Sequence, residues 1–461
     1  MPQAALREIL AAAGLRGEVE DAVEIRGDDA VLPVRYRVAA AGAASLGALG
    51  LAAAELYGKP QRVSVDARHA AVSLRSALYL RINGEPPPPV WDPMSGFYPV
   101  RDGWVSIHCN FPNHRDAAIR VLGTEADRAK AEEASRSWAG EELENAIHAA
   151  GGCAGYVRSE EQWLRHPQAQ AVAAQPLIEI LRIGDAPPDK PPARARPLLG
   201  VKVLDLTRVL AGPTCAKSLA AFGADVLKLS APHLPDSGLV ELDTGIGKRS
   251  AHLDLRQQPL VERLRKLVAR ADVFSQSYRP GALARRGFSP EDLAALRPGI
   301  VCASLDAWGE SGPWAGRRGF DSIVQAVSGI AQAAGRDAGD AAKPKLLPVS
   351  AIDYVSGYLM AFGVCVALAR RRREGGSWLV RVALARVGKF IVDRGVLPEP
   401  AWRGLPDDLP PEELEPLLAQ MRAPGGRIRF LKPALELSET PAFWSRPPVK
   451  LGYHPPVWTS G

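Results

Sequence analysis

The chain has 461 residues, enough for two or three domains with a substantial hydrophobic core. Hydrophobic residues make up 46% and charged residues 23%, which is ordinary for a globular protein, and the 40 prolines indicate stiff loops rather than disorder. The net charge of +6 fits either a solvated surface or a small polyanionic ligand. Aromatic residues are not interleaved with the basic ones, which argues against a nucleic-acid stacking platform.

The first residues and the cysteines bear on the compartment of the protein. The N-terminus lacks a basic region followed by an apolar core, so we expect no signal peptide. The most apolar run, 39–56, is rich in Ala and Gly, which favours a buried helix over a membrane span. The five cysteines include no CxxC pair, which is typical of a reducing cytoplasm and argues against zinc. We therefore expect a cytoplasmic protein that binds no metal and inserts in no membrane.

The first 84 residues are predicted to form helices and strands in alternation. The patterns indicate an N-terminal amphipathic helix, a strand pair within 23–38 that turns at 27–29, a helix over 39–57, a strand over 61–65 and a helix over 69–80. Asn83-Gly84 and the proline run 86–89 then mark a boundary.

Residues 85–185 are interpreted as a separate, smaller α+β domain. A turn at Asp102-Gly103 precedes a strand, and helices are predicted over 113–122 and 140–150. The segment 186–197 is basic and rich in proline, so we interpret it as a linker.

From residue 198 to about 395 the pattern changes to strands that alternate with helices. The strands VKVLDLT, ADVLKLS, ADVFSQSY and IVCASLDAWG predict an open, mainly parallel α/β sheet, which would bind ligands outside the carboxyl ends of its strands. No GxGxxG follows the first strand, so a dinucleotide-binding fingerprint is absent from the sequence. Residues 396–461 are interpreted as a C-terminal tail that wraps back onto the rest of the chain.

One carboxylate stands out at the start of a long apolar run. Asp353 lies in LLPVSAIDYVSGYLMAFGVCVAL, where a loop passes into a helix, and the next charged residue is Arg370. An acid at this place is either a helix N-cap or a reactive group, and the local sequence leaves both open. Gly357, Ala361 and Cys365 recur every four residues behind it and predict a face against which another backbone packs closely.

The chain contains a short internal repeat with a shift of 313 residues. The run 39–54 aligns with 352–367, and RVSVDAR aligns with LVRVALAR after an insertion. Each copy is predicted to form an apolar helix, a turn and a strand. Gly50 aligns with Gly363, whereas Ala40 stands in the place of Asp353.

Five ordered motifs carry a resemblance to a known family. They are LLGVKVLDLTRVLAGPTCAKSLAAFGADVLKL, GKRSAHLDL, ADVFSQSYRPGALARRGF, WGESGPWAGRRGFDSIVQAVSG, and Asp353 with its helix. In this order they resemble the family III CoA-transferases, the CaiB/BaiF superfamily that includes formyl-CoA transferases and α-methylacyl-CoA racemases. Residues 39–195 resemble the second half of the same family, so the halves stand in rearranged order.

The resemblance implies a fold, an assembly and an activity. We expect a Rossmann-like large domain with a smaller domain, a homodimer, and the transfer of CoA between an acyl-CoA and a carboxylic acid (EC 2.8.3). CoA would be a substrate, with no cofactor bound permanently. By resemblance, Asp353 is the nucleophile that forms an anhydride and then an aspartyl-CoA thioester.

The resemblance also implies where CoA binds. Backbone groups of Val209, Leu210 and Ala211 would meet the nucleotide after the first strand. The remaining predicted CoA-binding residues are Leu253, Arg256, Tyr278, Arg285 and Arg318.

Several positions depart from the family pattern. Ser230 replaces a common Glu, Ser277 replaces a common Asn, and Met94-Ser95-Gly96 stands near the place of a glycine-rich flap. Two alternatives stay open: an acyl-CoA racemase or isomerase of the same fold, and a catalytically silent CoA-binding subunit. The sequence has no histidine between His252 and His454, where racemase relatives carry one, so transfer is the preferred prediction.

Overall fold

The computed structural model describes residues 2–15, 22–86, 89–189, 194–339 and 343–459. The proline run at 86–89 and the interpreted linker at 186–197 lie partly outside these ranges. The helices are α1 Pro2–Ala12, α2 Val38–Tyr57, α3 Ala67–Ser73, α4 Pro112–Leu122, α5 Arg128–Ser135, α6 Gly140–Ala149, α7 Glu160–Arg165, α8 Pro167–Ala173, α9 Ala211–Ala221, α10 Leu239–Gly245, α11 Gln258–Val268, α12 Pro290–Leu296, α13 Asp321–Val327, α14 Ile330–Asp337, α15 Ala351–Glu374, α16 Leu384–Asp393, α17 Glu399–Trp402 and α18 Pro411–Leu414. The strands are β1 Val23–Arg26, β2 Val63–Asp66, β3 Arg81–Ile82, β4 Gly96–Val100, β5 Gly103–Ile107, β6 Ala154–Tyr156, β7 Glu179–Gly184, β8 Lys202–Leu206, β9 Asp225–Ser230, β10 Arg249–His252, β11 Val273–Gln276, β12 Val301–Asp306, β13 Ser377–Ala383, β14 Leu418–Ala423, β15 Gly426–Leu431 and β16 Glu436–Leu437.

The largest sheet has seven strands in the order β10-β9-β8-β11-β12-β13-β7. The first six of these are parallel and β7 is an antiparallel edge strand. Numbered along the chain from β8, the parallel strands follow the order 3-2-1-4-5-6 of a doubly wound Rossmann fold. The predicted α/β class is therefore confirmed. In this topology the crevice between the first and fourth strands, β8 and β11, is the expected ligand site.

Helix α15 is the centre of the hydrophobic core. It packs against α2, α9 and the sheet strand β13, and nearly all of its residues are buried up to Ala369. Both α2 and α15 are long and apolar enough to cross a membrane by composition, but 89% and 94% of their most apolar windows are buried by the rest of the chain. This burial is the pattern of core helices.

The internal repeat shows the same contact in both copies. A Cβ added at Gly50 would lie 2.5 Å from Cγ1 of Val63, and one added at Gly363 would lie 2.5 Å from Cγ1 of Val380. In each copy a helical glycine therefore lets the apolar helix lie directly on the strand that follows it. The two repeated helices, α2 and α15, also pack against each other.

A smaller antiparallel sheet, in the order β4-β5-β6, lies with α4 and α6 in the segment predicted as the small domain. The turn at Asp102-Gly103 joins β4 to β5 as predicted. Later in the same segment, β7 does not join this smaller sheet but pairs with β13 at the edge of the large one. Residues after 396 return to the N-terminal part, where β15 pairs with β3 and β16 pairs with β2.

Two predictions for the N-terminal part were wrong. The predicted strand pair within 23–38 is absent from the described residues: β1 pairs in parallel with β2 across α2, and Pro33 removes a donor from the run expected to be its partner. The predicted helix 69–80 breaks after Ser73 and resumes as a 3₁₀ turn. At the break, the carbonyl of Leu74 accepts the N–H of Ser350 from the start of α15.

Candidate active site

Asp353 lies in the first turn of α15, but it is not the N-cap. The N-cap is Ser350, whose side chain makes no capping hydrogen bond. The N–H of Asp353 donates instead to Oδ2 of Asp321, at 3.0 Å. Because the carboxylate of Asp321 caps the helix, the interpretation of Asp353 as a cap is wrong. The carboxyl group of Asp353 is therefore available for chemistry.

Asp321 begins α13 and is held from two sides. Its Oδ1 accepts a hydrogen bond from Nε2 of Gln325 at 2.5 Å, one helical turn away. Its Oδ2 faces the amino end of α15, where the N–H groups of Ile352 and Asp353 stabilise it. Both residues belong to the motif GFDSIVQ, in which their spacing of four places them on one helix face.

The two carboxyl groups form a coupled pair. Burial raises the pKa of Asp321 to about 6, against the opposing effect of its hydrogen bonds. Burial and the charge of Asp321 together raise the pKa of Asp353 well above its usual range. Of the two groups, Asp353 therefore holds its proton more strongly, and Asp321 ionises first.

Asp353 and Asp321 line a cleft of about 320 Å³. The cleft collects side chains from distant parts of the chain, and its walls are largely apolar. Among the residues that line it are Arg75, Trp91, His108, Val209, Phe320 and Leu347. It therefore joins the N-terminal part, the smaller sheet and the carboxyl edge of the large sheet around one acid.

A second cavity, of about 540 Å³, lies at the same edge of the large sheet. It brings together four of the residues predicted to bind CoA: Leu253, Arg256, Tyr278 and Arg285. Arg286, which the sequence reasoning missed, adds a further cation to its wall. Ser230 also lines it, and its Oγ is buried without a partner among the residues that the structure describes.

The loop after β8 connects the two cavities. Leu206 lines the cavity with Tyr278, whereas Val209 and Leu210 line the cleft with Asp353. Val209 has a φ of +67°, a left-handed conformation that is strained for a β-branched residue. Such strain is retained where the surroundings impose it, and it is concentrated at functional sites.

A buried ion pair fixes this loop from below. Nζ of Lys248 lies 2.7 Å from Oδ2 of Asp205 and also donates to the carbonyl of Pro213 at 2.8 Å. The other oxygen, Oδ1 of Asp205, accepts from the backbone N–H of Thr207 at 3.0 Å. Both charged side chains are almost fully buried, so the pair holds the loop from its first residue to the start of α9.

Two further predicted residues lie outside the linings of both cavities. Ala211 begins α9, and a Cβ added at Gly357 would lie 2.5 Å from its carbonyl oxygen. This contact confirms the predicted close packing behind Asp353. The guanidinium of Arg318 lies near His114 and lowers the pKa of that imidazole together with burial, which is the larger cause.

His108 is a residue of the cleft that the sequence reasoning missed. Its imidazole stacks on Phe320 with ring centroids 3.7 Å apart, and its Nδ1 is buried without a partner among the described residues. Burial lowers its pKa to about 3, so it is neutral near pH 7. His108 follows a strand of the smaller sheet, so it reaches the cleft from a different part of the chain than the segment after Asp321 in which racemase relatives carry a histidine.

The repeat places Ala40 where the second copy has Asp353. The N–H of Ala40 donates to Oδ1 of Asp29 at 2.7 Å, much as the N–H of Asp353 donates to Asp321. Both copies thus cap the apolar helix with a carboxylate from a preceding segment. Only the second copy adds an acid on the helix itself.

The comparisons with known proteins concern mainly the second half of the chain. Residues 198–397 match the family model described as CoA-transferase family III. Over these residues, the chain is similar to CoA-transferase family III. The matched segment includes Asp353, Asp321 and the loop after β8.

Several known proteins are similar to parts of the chain. An acetyl-coenzyme A transferase of Hypoxylon pulicicidum is 34% identical over 223 residues, covering 47% of this chain and 37% of that protein. An acyl-CoA transferase of Gibberella moniliformis is 27% identical over 396 residues, covering 77% and 70%. The crystal structure of a CaiB/BaiF family protein from Brucella suis is 28% identical, with a TM-score of 0.38, covering 43% and 55%. The chain thus spans little more than a third of the length of the first of these relatives.

Proposed function

We propose that the chain transfers CoA from an acyl-CoA to a carboxylic acid, with Asp353 as the nucleophile. The observation that carries the proposal is the position of Asp353. Its carboxyl group is buried and does not serve as the N-cap of α15. The cleft that it lines is joined by one loop to the cavity that contains four predicted CoA-binding residues.

The reaction would run through two kinds of covalent intermediate. A carboxylate oxygen of Asp353 attacks the thioester carbon and expels the CoA thiolate, which leaves a mixed anhydride. The thiolate then attacks the aspartyl carbonyl carbon, so that the donor acid leaves with the bridging oxygen and an aspartyl-CoA thioester forms. The acceptor carboxylate attacks this thioester, and the released thiolate attacks the acceptor carbonyl of the second anhydride. New acyl-CoA leaves, and the carboxylate of Asp353 is regenerated.

Asp321 would tune this nucleophile. Only the ionised form of Asp353 attacks, and the charge of Asp321 makes that form less populated but more basic. Asp321 keeps its own charge because Gln325 and the amino end of α15 stabilise it. Activity is therefore expected to rise with pH as Asp353 loses its proton.

The proposal is tested by trapping the thioester. The protein is mixed with an acyl-CoA and then with hydroxylamine, and the peptide that contains Asp353 is measured by mass spectrometry. The proposal expects the hydroxamate of Asp353, and its loss in Asp353→Asn with loss of CoA exchange. Saturable CoA binding with neither the adduct nor exchange would favour a silent CoA-binding subunit instead.

A second candidate is an acyl-CoA racemase or isomerase, and His108 is the observation that favours it. The neutral imidazole and the Asp353–Asp321 pair line the same cleft, which offers two kinds of proton carrier to one α-carbon. Deuterium from the solvent would then appear at the α-carbon of an acyl-CoA without exchange of CoA. The same assay on His108→Gln separates this candidate from transfer, because transfer needs no base at the α-carbon.

The assembly and the compartment are also proposals. We infer a homodimer in the cytoplasm from the family resemblance and the scattered cysteines. Sedimentation equilibrium of the purified chain measures the first, and fractionation of cells that express it measures the second.

A further inference from the structure

The mouth of the cleft is apolar. Leu78 and Trp91 both line the cleft, and their side chains are 42% and 49% exposed, among the most exposed large hydrophobic residues of the described part of the chain. Val90 lines the cleft as well. Exposed apolar side chains that gather at the entrance of a concave site favour an aliphatic ligand segment there.

Arg75 is the one cationic side chain among the described residues that line this cleft, since His108 is neutral near pH 7. The residues before and after it, Leu74 and Ser76, both contact the start of α15. The carbonyl of Leu74 accepts the N–H of Ser350 at 3.0 Å, and the hydroxyl of Ser76 lies 3.1 Å from that of Tyr354. The position of Arg75 relative to Asp353 is therefore set by the structure on both sides of it.

The guanidinium of Arg75 has hydrogen-bonding capacity to spare. Its Nη1 donates to the carbonyl of Asp407 at 2.8 Å, and it lies over the ring of Tyr79 at 5.8 Å. Its Nε is buried without a partner, and no carboxylate of the described residues forms an ion pair with it. A planar guanidinium with N–H groups still available can donate to both oxygens of a carboxylate.

The charged groups that line the cleft differ in sign. Asp353 and Asp321 interact with each other, and Arg75, which lines the same cleft, forms no ion pair with either of them. A bound anion would therefore be repelled by the acidic pair and attracted by Arg75. Most of the other residues that line the cleft are apolar.

We propose that Arg75 binds the far carboxylate of a dicarboxylic acyl group, whose near carbonyl carbon is presented to Asp353. The preferred acyl-CoA, or the preferred acceptor, is then a short dicarboxylic acid rather than a simple fatty acid. This inference rests on the proposed function for the role of Asp353, and it adds the class of substrate. Arg75 acts on specificity and takes no part in bond making.

The test uses CoA thioethers, which cannot react. A series of ω-carboxyalkyl thioethers of increasing length is paired with alkyl thioethers of the same length, and dissociation constants are measured by calorimetry. The wild-type protein is expected to bind at least one carboxyalkyl compound about 10- to 100-fold more tightly than its alkyl partner, the range for a hydrogen bond to a charged group. Arg75→Met should remove this preference and leave alkyl binding within about threefold, since an alkyl chain offers no acceptor to the guanidinium.

Two further variants complete the design. Arg75→Lys keeps the charge and should retain part of the preference, which a purely structural role of the side chain would not do. Arg62→Met is the matched control, because Arg62 is exposed and outside the lining of the cleft. It should retain the whole preference.

Two results would overturn the proposal. One is a wild-type protein that binds every carboxyalkyl compound no better than its alkyl partner. The other is an Arg75→Met variant that weakens both members of each pair equally. Since the thioethers do not react, a clear preference without any CoA transfer would refute the proposed transfer reaction and leave the Arg75 site intact.

Discussion

Replacing Asp353 by Asn should stabilise the protein more at higher pH. In the folded chain, burial and the charge of Asp321 keep a proton on Asp353 well above the usual range of a carboxyl group. In the unfolded chain the same group loses its proton near pH 4. The unfolded state therefore binds fewer protons between these two pKa values, and the free energy of unfolding of the wild type falls as pH rises through that window. Asn cannot titrate, so the variant avoids this loss.

The size of the effect follows from one proton. Linkage gives a slope of about 1.4 kcal/mol per pH unit for a single group, so the gap between variant and wild type should widen by up to this amount for each pH unit above the unfolded pKa, until Asp353 ionises in the folded chain. Urea unfolding of both proteins at several pH values in this range measures the gap. Asp28→Asn is the control, because Asp28 is exposed and the same substitution there removes no buried carboxyl group.

A constant gap for Asp353→Asn would contradict this reasoning. It would mean that Asp353 is ionised in the folded protein near pH 5, and hence that the carboxyl pair with Asp321 does not hold a proton. The cleft would then be far more polar than its described lining indicates.

Three further predictions concern the residues around the nucleophile. Asp321→Asn removes the charge beside Asp353 and lowers its pKa, so the acid limb of the pH profile of kcat should move to lower pH; an unmoved limb would exclude Asp321 as the cause. Lys248→Met strands the buried charge of Asp205 and should cost about 3–5 kcal/mol of unfolding free energy in urea titrations, whereas a cost below about 1 kcal/mol would argue against a tight pair. Gly357→Ala forces a methyl group to 2.5 Å from the carbonyl at the start of α9 and should cost about 1–3 kcal/mol; an unchanged midpoint would refute the close packing.

The last prediction has a matched control in the repeated helix. A Cβ added at Gly42 would meet its nearest neighbour, Cδ2 of Leu74, at 3.4 Å, which is an ordinary contact. Gly42→Ala should therefore be neutral or stabilising by up to about 1 kcal/mol, because alanine is the better helix former.

The sequence was most informative where structure is local. Strands rich in Val and Leu that alternate with helices predicted the parallel sheet, and a sustained apolar run predicted α15. Long, strongly patterned elements bury one face whatever surrounds them, so their local signal survives in the fold. The matching contacts Gly50–Val63 and Gly363–Val380 show that residue spacing also predicted the internal repeat correctly.

The sequence was least informative where distant segments meet. Nothing near Asp353 in the chain indicated that Asp321, rather than its own side chain or that of Ser350, caps α15. His108 and Arg75 carry no motif, and they reach the cleft only because the smaller sheet and the N-terminal part pack against it. The pairing of β1 with β2 likewise depended on tertiary packing, which overrides local strand preference.

The most direct test of the central claim follows one oxygen atom. In the proposed cycle the acceptor acid leaves one of its carboxylate oxygens on Asp353, and the next donor acid carries that oxygen away. Turnover with an acceptor labelled with ¹⁸O should therefore put ¹⁸O into the peptide that contains Asp353 and into the released donor acid. CoA transfer with an unlabelled peptide and an unlabelled donor acid would contradict the claim that Asp353 is the nucleophile.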